Sequence, residues 1–482
     1  MIKQFVKDSA VYGVTTILAR GISFLLLPFY TRVLTPEDYG VIDILTVFAA
    51  LVCLIAPLEI SQALAIFYSD AQDESEKTRV ASTALWFTVG AYGLFALVGL
   101  IFSRPLTALM LDAPQRLMIF QVALLATSLQ GFFYLLQGQL RWMLLPRGYA
   151  ITSLLTTLTS ILLTIVLVLA LRLGVLGVLL GQICGNLAGS CLAFYFGKRS
   201  YALQFDWAKL VEMLRFSIPL VPASISVFVM LYVDRIMIKS LLTLADVGVF
   251  GVAYRITSIV SLLMIAFRGA LTPLIYNNYR KPETPAEIAH IFRYFCAFGL
   301  LTFVALSLFS REIILVFAPA EYEAAAGIIP FMAPAAMLVD MYIFAPGLTL
   351  VKKTRIIAVI NILGALVTTV LNFSLIPMMG VRGAAFANLL SNALIFALNM
   401  WFSQKYYPVP HAWRQLGLAA FLCVAIVLLN AVQLPLGIFV SIALKGVLLC
   451  CCAGGLLLIK LVKIGEIGRL YRLIFAKRIP AE

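Results

Sequence analysis

Charge is scarce in this chain. Only 12% of its 482 residues are Asp, Glu, Lys or Arg, and it has two histidines. A water-soluble chain of this length could not cover its surface with so few charges. Its His, Cys and carboxylate residues fall into no catalytic or metal-binding spacing, and His290 and His411 lie at expected helix ends. Disulfide scaffolding is absent too, because the eight cysteines sit inside apolar runs and read as small hydrophobic residues. The consecutive Cys450, Cys451 and Cys452 point about 100° apart on a helix, with no His or carboxylate nearby to complete a metal site. Long loops are missing as well. The longest expected connections run to about 15 residues, too little for the extramembrane catalytic regions of a glycosyltransferase or polymerase. No small-residue cleavage site follows the short start Met1 to Ala10, so no cleavable signal peptide is expected.

Apolar residues are what the chain has in excess, at 62%, with a mean hydropathy of +1.02. A hydrocarbon core about 30 Å thick requires about 20 mostly apolar helical residues. About fourteen such windows occur, the first over 9–31, the second over 41–66, the tenth over 326–350. The expected fold class is therefore an all-α polytopic membrane protein. With the N-terminus inside, 24 of the 36 basic residues fall on the cytoplasmic side, 8 on the opposite side and 4 within spans. That bias follows the positive-inside rule and places both termini in the cytoplasm. The net charge of +14 thus reports topology and requires no nucleic-acid partner. Residues 461–482 mix apolar and basic side chains at helical spacing, which predicts an amphipathic helix on the cytoplasmic leaflet, in contact with membrane lipids.

Two short matches recur along the chain. Leu34-Thr35, Asp38 and Gly40-Val41 precede Leu242-Thr243, Asp246 and Gly248-Val249 by 208 residues, and Gly174-Val175, Gly177 and Asn186 precede Gly380-Val381, Gly383 and Asn392 by 206. Nearly equal offsets at equivalent span boundaries predict an internal repeat. Six spans per unit is an even number, so both halves enter from the same side as parallel repeats. The expected division is an N-lobe over 1–205 with spans one to six, a C-lobe over 206–408 with spans seven to twelve, two appended spans over 409–460 and the tail.

Three stretches carry a family resemblance. Pro28 to Gly40 (PFYTRVLTPEDYG) is similar to the P-x-x-x-R-x-L-x-x-x-x-Y-G passage that follows the first span of Wzx-type polysaccharide and O-antigen flippases. Val233-Asp234-Arg235 resembles that family's D-R ending of span seven, Asp246 to Phe250 its entry to span eight, and Gly380 to Ala385 its passage before span twelve. The resemblance covers about residues 5 to 405. It implies the fold of the MOP superfamily, shared with MATE exporters and lipid II flippases. It further implies a transporter in the bacterial inner membrane that is not an enzyme. The implied substrate is an undecaprenyl-diphosphate-linked oligosaccharide, a unit of O-antigen, capsule or exopolysaccharide, moved from the cytoplasmic to the periplasmic leaflet. Polymerase and other polysaccharide-assembly proteins are the implied partners. The same fold leaves a cation-coupled multidrug antiporter as the alternative.

Ionisable groups deep in lipid need a partner, a cavity or a function. Arg20 sits at the middle of span one, with Tyr12, Thr16 and Ser23 on its helical face. Its guanidinium fork matches diphosphate oxygens and stays charged; alternatively it pairs with Glu59 or Asp43. Arg255 and Arg268 of span eight are further candidates for diphosphate, although thirteen residues place them about 220° apart on a straight helix. Glu59 and Asp340, each close to proline, are candidates for proton or sodium coupling or for structural pairs; no other cofactor is expected. Gln130 and Gln137 of span four, Asn361 and Asn372 of span eleven, and Asn388 and Asn392 of span twelve form neutral polar stripes, facing sugar hydroxyls or joining helices. Asp234 and Arg235 suit a structural clamp near the periplasmic ends, and Lys445 a packed or snorkelling position.

Overall fold

The structure, a computed structural model, describes residues 2–431 and 438–461. Its main helices are α1 (Ile2–Leu25), α2 (Pro36–Ile55), α3 (Glu74–Ile101), α4 (Leu117–Trp142), α5 (Pro146–Ile165), α6 (Gly174–Gly197) and α7 (Val221–Leu241), followed by α8 (Leu244–Asn278), α9 (Thr284–Leu308), α10 (Ile329–Asp340), α11 (Thr354–Met379), α12 (Val381–Tyr406), α13 (Trp413–Ala431) and α14 (Ile438–Leu458). Among the described residues there is no strand. Among the described residues thirteen helical segments, matching α2 to α14, are long and apolar enough to cross a membrane. Helix α1 has 24 residues, but several of its side chains lie outside the described residues, as does the whole tail over 462–482 on which the amphipathic helix was expected. Trp401, Phe421, Met378 and Phe439 stand exposed on the helices. Large apolar side chains belong on such a surface when the solvent is lipid.

Local chemistry explains where the helices begin. Thr35 caps α2 by accepting from the Asp38 amide at 3.2 Å, with Pro36 at the first helical position. The repeat reproduces that cap 208 residues on, where Thr243 accepts from the Asp246 amide at 3.2 Å at the start of α8. The second match has a conformational reason. Gly174 and Gly380, just before α6 and α12, both take left-handed φ, +53° and +60°, where a side chain would be strained.

Two expected spans are interrupted. The window 41–66 is not one helix: α2 ends at Ile55, and the chain turns through Ala56 to Glu59 before resuming as a helix over Ile60–Asp70. Pro57 supplies no amide hydrogen, and Leu58 and Glu59 follow with φ of 49° and 56°. Left-handed backbone costs such residues roughly 1–2 kcal/mol each. The window 326–350 likewise breaks after Asp340, into a 3-10 turn over Met341–Phe344 and a short helix over Gly347–Leu350.

The chain packs as two compact units that interleave in sequence. The first comprises residues 1–252, 317–322 and 361–384; the second comprises 253–316, 323–360 and 385–482. In the first, Ile60, Leu64, Val80, Ala84, Leu136 and Leu140 form a core beneath the second segment of the broken span. In the second, one core gathers Phe292, Phe295, Met337 and Phe344, and another sets α13 and α14 against α9 through Ala419, Cys423, Cys452 and Val304. Lys445 of α14 is held there by Glu312, Nζ to Oε1 at 2.5 Å, so the deep lysine is paired.

Candidate functional site

A cavity of about 200 Å³ opens inside the first unit, among α2, α4, α5 and α6. Its lining is half apolar and half polar, the polar half being Thr46, Thr127, Gln130, Ser160, Gln182 and Asn186, and among the described residues no charged side chain lines it. Helical spacing aims these groups together: Thr127 and Gln130 are three apart on α4, and Gln182 and Asn186 four apart on α6. Ser160 is brought in by a seam of small residues. A Cβ on Gly181 would lie 2.1 Å from Thr164 Oγ1, one on Gly185 1.8 Å from Ser160 Oγ, and one on Gly189 1.9 Å from Thr156 Oγ1. Only hydrogen in those places lets α6 approach α5 this closely.

The lining is partly committed. Thr46 Oγ1 donates to the Ile42 carbonyl at 2.8 Å, and Gln130 Nε2 donates to the Tyr134 hydroxyl at 2.8 Å, leaving Oε1 to accept. Gln182 and Asn186 make no hydrogen bond among the described residues, so both carboxamides keep donors and acceptors for whatever fills the space.

A second polar cluster lies in the same unit, where the first turns of α2 and α8 cross. A Cβ on Gly40 would stand 1.8 Å from the Leu244 carbonyl oxygen, and one on Gly248 1.9 Å from that of Pro36. Gly40 and Gly248 are 208 apart, as are Pro36 and Leu244, so the repeated motif packs against its own copy. Behind the crossing, Arg235 Nε donates to Asp43 Oδ2 at 2.8 Å, both groups almost fully buried, with the guanidinium 5.5 Å from the Phe250 ring centre. Asn372 Nδ2 donates to Asp234 Oδ1 at 2.8 Å and to the Thr368 carbonyl at 2.9 Å. Farther out Lys239 Nζ meets Asp112 Oδ1 at 2.7 Å, and Tyr322 donates its hydroxyl proton to the Leu34 carbonyl at 2.9 Å.

These contacts redistribute the residues singled out in the sequence. Gln130 lines the cavity, whereas Gln137, half-buried on the same helix, is not part of its lining. Asn372 is spent in the clamp with Asp234 and does not face the cavity. Asp43, offered to Arg20 by the sequence, is held by Arg235 instead. Glu59 lies half-buried at the break of span two, with no ion-pair partner among the described residues. The side chains of Arg20 and Arg268 lie outside the described residues. Arg255 is half-buried on α8 and Asp340 buried at the end of α10, both in the second unit. There too, Asn392 Nδ2 donates to Asn388 Oδ1 at 2.5 Å, while Asn361 is half-buried on α11 in the first. Sequence reasoning missed Thr46, Thr127, Ser160, Gln182 and Asn186 as lining groups. The Thr127/Gln130 and Gln182/Asn186 spacings were the available signal; Ser160 depends on the glycine seam and had none.

The fold is similar to that of solved membrane transport proteins. It is similar to the lipid II flippase MurJ in an inward closed conformation, with a TM-score of 0.69 at 14% identity, covering 92% of this chain and 98% of that one. An inward-facing multidrug resistance MATE family transporter of the MOP superfamily aligns with a TM-score of 0.66 at 14% identity, over 81% of this chain and 97% of that one. No curated protein sequence matches the chain. The family model described as "Polysaccharide biosynthesis protein" matches residues 5–278, more than half of the chain, and the protein belongs to that family.

Proposed function

We propose that this protein flips an undecaprenyl-diphosphate-linked oligosaccharide from the cytoplasmic to the periplasmic leaflet of a bacterial inner membrane by alternating access. One observation carries the reading: a polysaccharide-biosynthesis family member holds, inside its membrane-spanning helices, a cavity whose lining is half apolar and half hydroxyls and carboxamides, with no charge among the described residues. Sugars present hydroxyls and little charge, and a carboxamide matches them as donor and acceptor at once. An organic cation would instead call for a carboxylate, so the cavity speaks against the drug-antiporter alternative.

Arg20, Arg255 and Arg268 are the proposed contacts for the diphosphate, because guanidinium forks bind phosphate oxygens bidentately without a change of protonation. Glu59 and Asp340 are the proposed coupling groups, for proton or sodium. The basic bias of the loops supports cytoplasmic termini, and polysaccharide polymerase is the proposed neighbour in the pathway.

The test is genetic and chemical. Deleting the gene should leave a lipid-linked glycan trapped in the cytoplasmic leaflet, and wild-type protein should restore surface glycan. Charge-assisted hydrogen bonds contribute about 1.5–3 kcal/mol each, so Arg20→Ala should cut export by roughly ten- to a hundredfold while protein remains in the membrane. Absence of any trapped lipid-linked glycan in the deletion strain would overturn the function; full export by Arg20→Ala would remove only Arg20 from the site.

A further inference from the structure

The cavity of the first unit is more specific than a polar lining requires. Its volume of about 200 Å³ matches roughly seven waters at ~30 Å³ each, the bulk of one pyranose ring. It falls short of the ~300–1,000 Å³ typical of pockets that enclose a drug-sized molecule. It is also far larger than a bare sodium ion needs, and its lining carries no formal negative charge to balance one.

The state of the carboxamides points the same way. Some carboxamides find protein partners, as Asn372 does with Asp234 and Asn392 with Asn388, whereas Gln139 of α4 is fully buried with neither side-chain atom partnered among the described residues. Gln182 and Asn186 find none among the described residues and border the cavity. The positions are not incidental to the fold. Asn388 and Asn392 lie 206 residues after Gln182 and Asn186, the offset of the glycine turns that open α6 and α12, so the sixth helix of each repeat carries a carboxamide pair at equivalent places. One copy closes on itself and the other is left open to the cavity.

We propose that this cavity is a subsite for a single uncharged sugar ring of the transported glycan, with Gln182 and Asn186 as its specificity-determining residues and Gln130, Ser160 and Thr127 completing the ring of partners. The proposal rests on the flippase reading and deepens it: sugar is recognised inside the N-terminal repeat by neutral groups, apart from the arginines assigned to diphosphate. The full-length protein reconstituted in liposomes provides the test, with two probes, undecaprenyl diphosphate bearing one N-acetylhexosamine and undecaprenyl diphosphate bearing none. Wild-type protein should move the sugar-bearing probe faster. The Gln182→Leu/Asn186→Leu variant should slow that probe at least tenfold, about one hydrogen bond's worth, and leave the bare diphosphate unchanged. Gln130→Leu, on a different helix, should weaken the preference in the same direction and serves if the double variant fails to fold. Equal rates for the two probes in wild-type protein, or an unaltered preference in the variants, would overturn the subsite and leave the flippase intact. Failure of wild-type protein to move either probe would overturn the flippase reading itself.

Discussion

At the scale of single residues, the described chain shows polar groups buried for two different ends. His411, between α12 and α13, is almost fully buried with the Phe292 ring 4.6 Å and the Trp413 ring 5.0 Å away, and neither ring nitrogen has a hydrogen-bond partner among the described residues. Burial favours the neutral imidazole and lowers its pKa from 6.5 to about 4. The unfolded chain therefore binds the proton more readily than the folded one, so folding stability rises with pH across that interval. The His411 contribution is fully present above about pH 6.5 and lost as the pH falls towards about 4. Thermal unfolding in detergent should show a midpoint that drops between pH 7 and 4.5 in wild-type protein and drops less in His411→Phe; equal slopes would refute the assignment. None of this was legible beforehand, since a lone histidine near a helix end says nothing of what encloses it. The same limit applies to the cavity. Gln130 was readable because one helix face displays it, whereas Ser160 enters only through the approach of a neighbouring helix.

At the scale of helices, that approach is set by glycine. The α5–α6 seam places Gly185 where a Cβ would meet Ser160 Oγ at 1.8 Å and the Thr156 carbonyl oxygen at 2.7 Å. The serine can rotate away; the backbone oxygen cannot. Gly185→Ala should destabilise the protein by about 1–3 kcal/mol through overpacking and widen the cavity wall. Gly138 on α4 has open space around its Cβ position, and there alanine should be neutral or stabilising by up to about 1 kcal/mol through helix propensity. Thermal midpoints of the two variants, measured side by side in detergent, check the pair; similar midpoints would mean the seam does not set the packing. The helices themselves were legible from hydropathy, and the glycine turns before α6 and α12 from the matched motifs. What hydropathy could not show was the pair of breaks, because Pro57 and Pro346 permit a kink without dictating one. The left-handed turn at Leu58 and Glu59 is decided by the core beneath Ile60 and Leu64, which anchors the second segment of the span.

At the scale of the whole molecule, alternating access requires each end of the transport path to come apart once per cycle. The crossing of α2 and α8 joins the first half of the sequence to the second through Gly40 against Leu244, Gly248 against Pro36, Asp43 with Arg235 and Asp112 with Lys239. Under the proposed topology this is the periplasmic end. The buried pair dominates its strength, since truncating one member of such a pair costs about 3–5 kcal/mol, while an exposed pair such as Lys239 with Asp112 contributes ~0–1 kcal/mol. Replacing the exposed pair by cysteines should therefore leave the closure nearly as it is, so Asp112→Cys and Lys239→Cys should each transport at close to the wild-type rate. Lys239 Nζ lies 2.7 Å from Asp112 Oδ1, so a short bis-methanethiosulfonate bridge between the two thiols fits the closed end and cannot follow it open. With the eight native cysteines replaced, the bridged double variant should lose movement of the sugar-bearing probe in liposomes, and reductant should restore it. Undiminished transport with the bridge fully formed would mean that this end stays shut throughout the cycle, and the substrate would have to leave by another route.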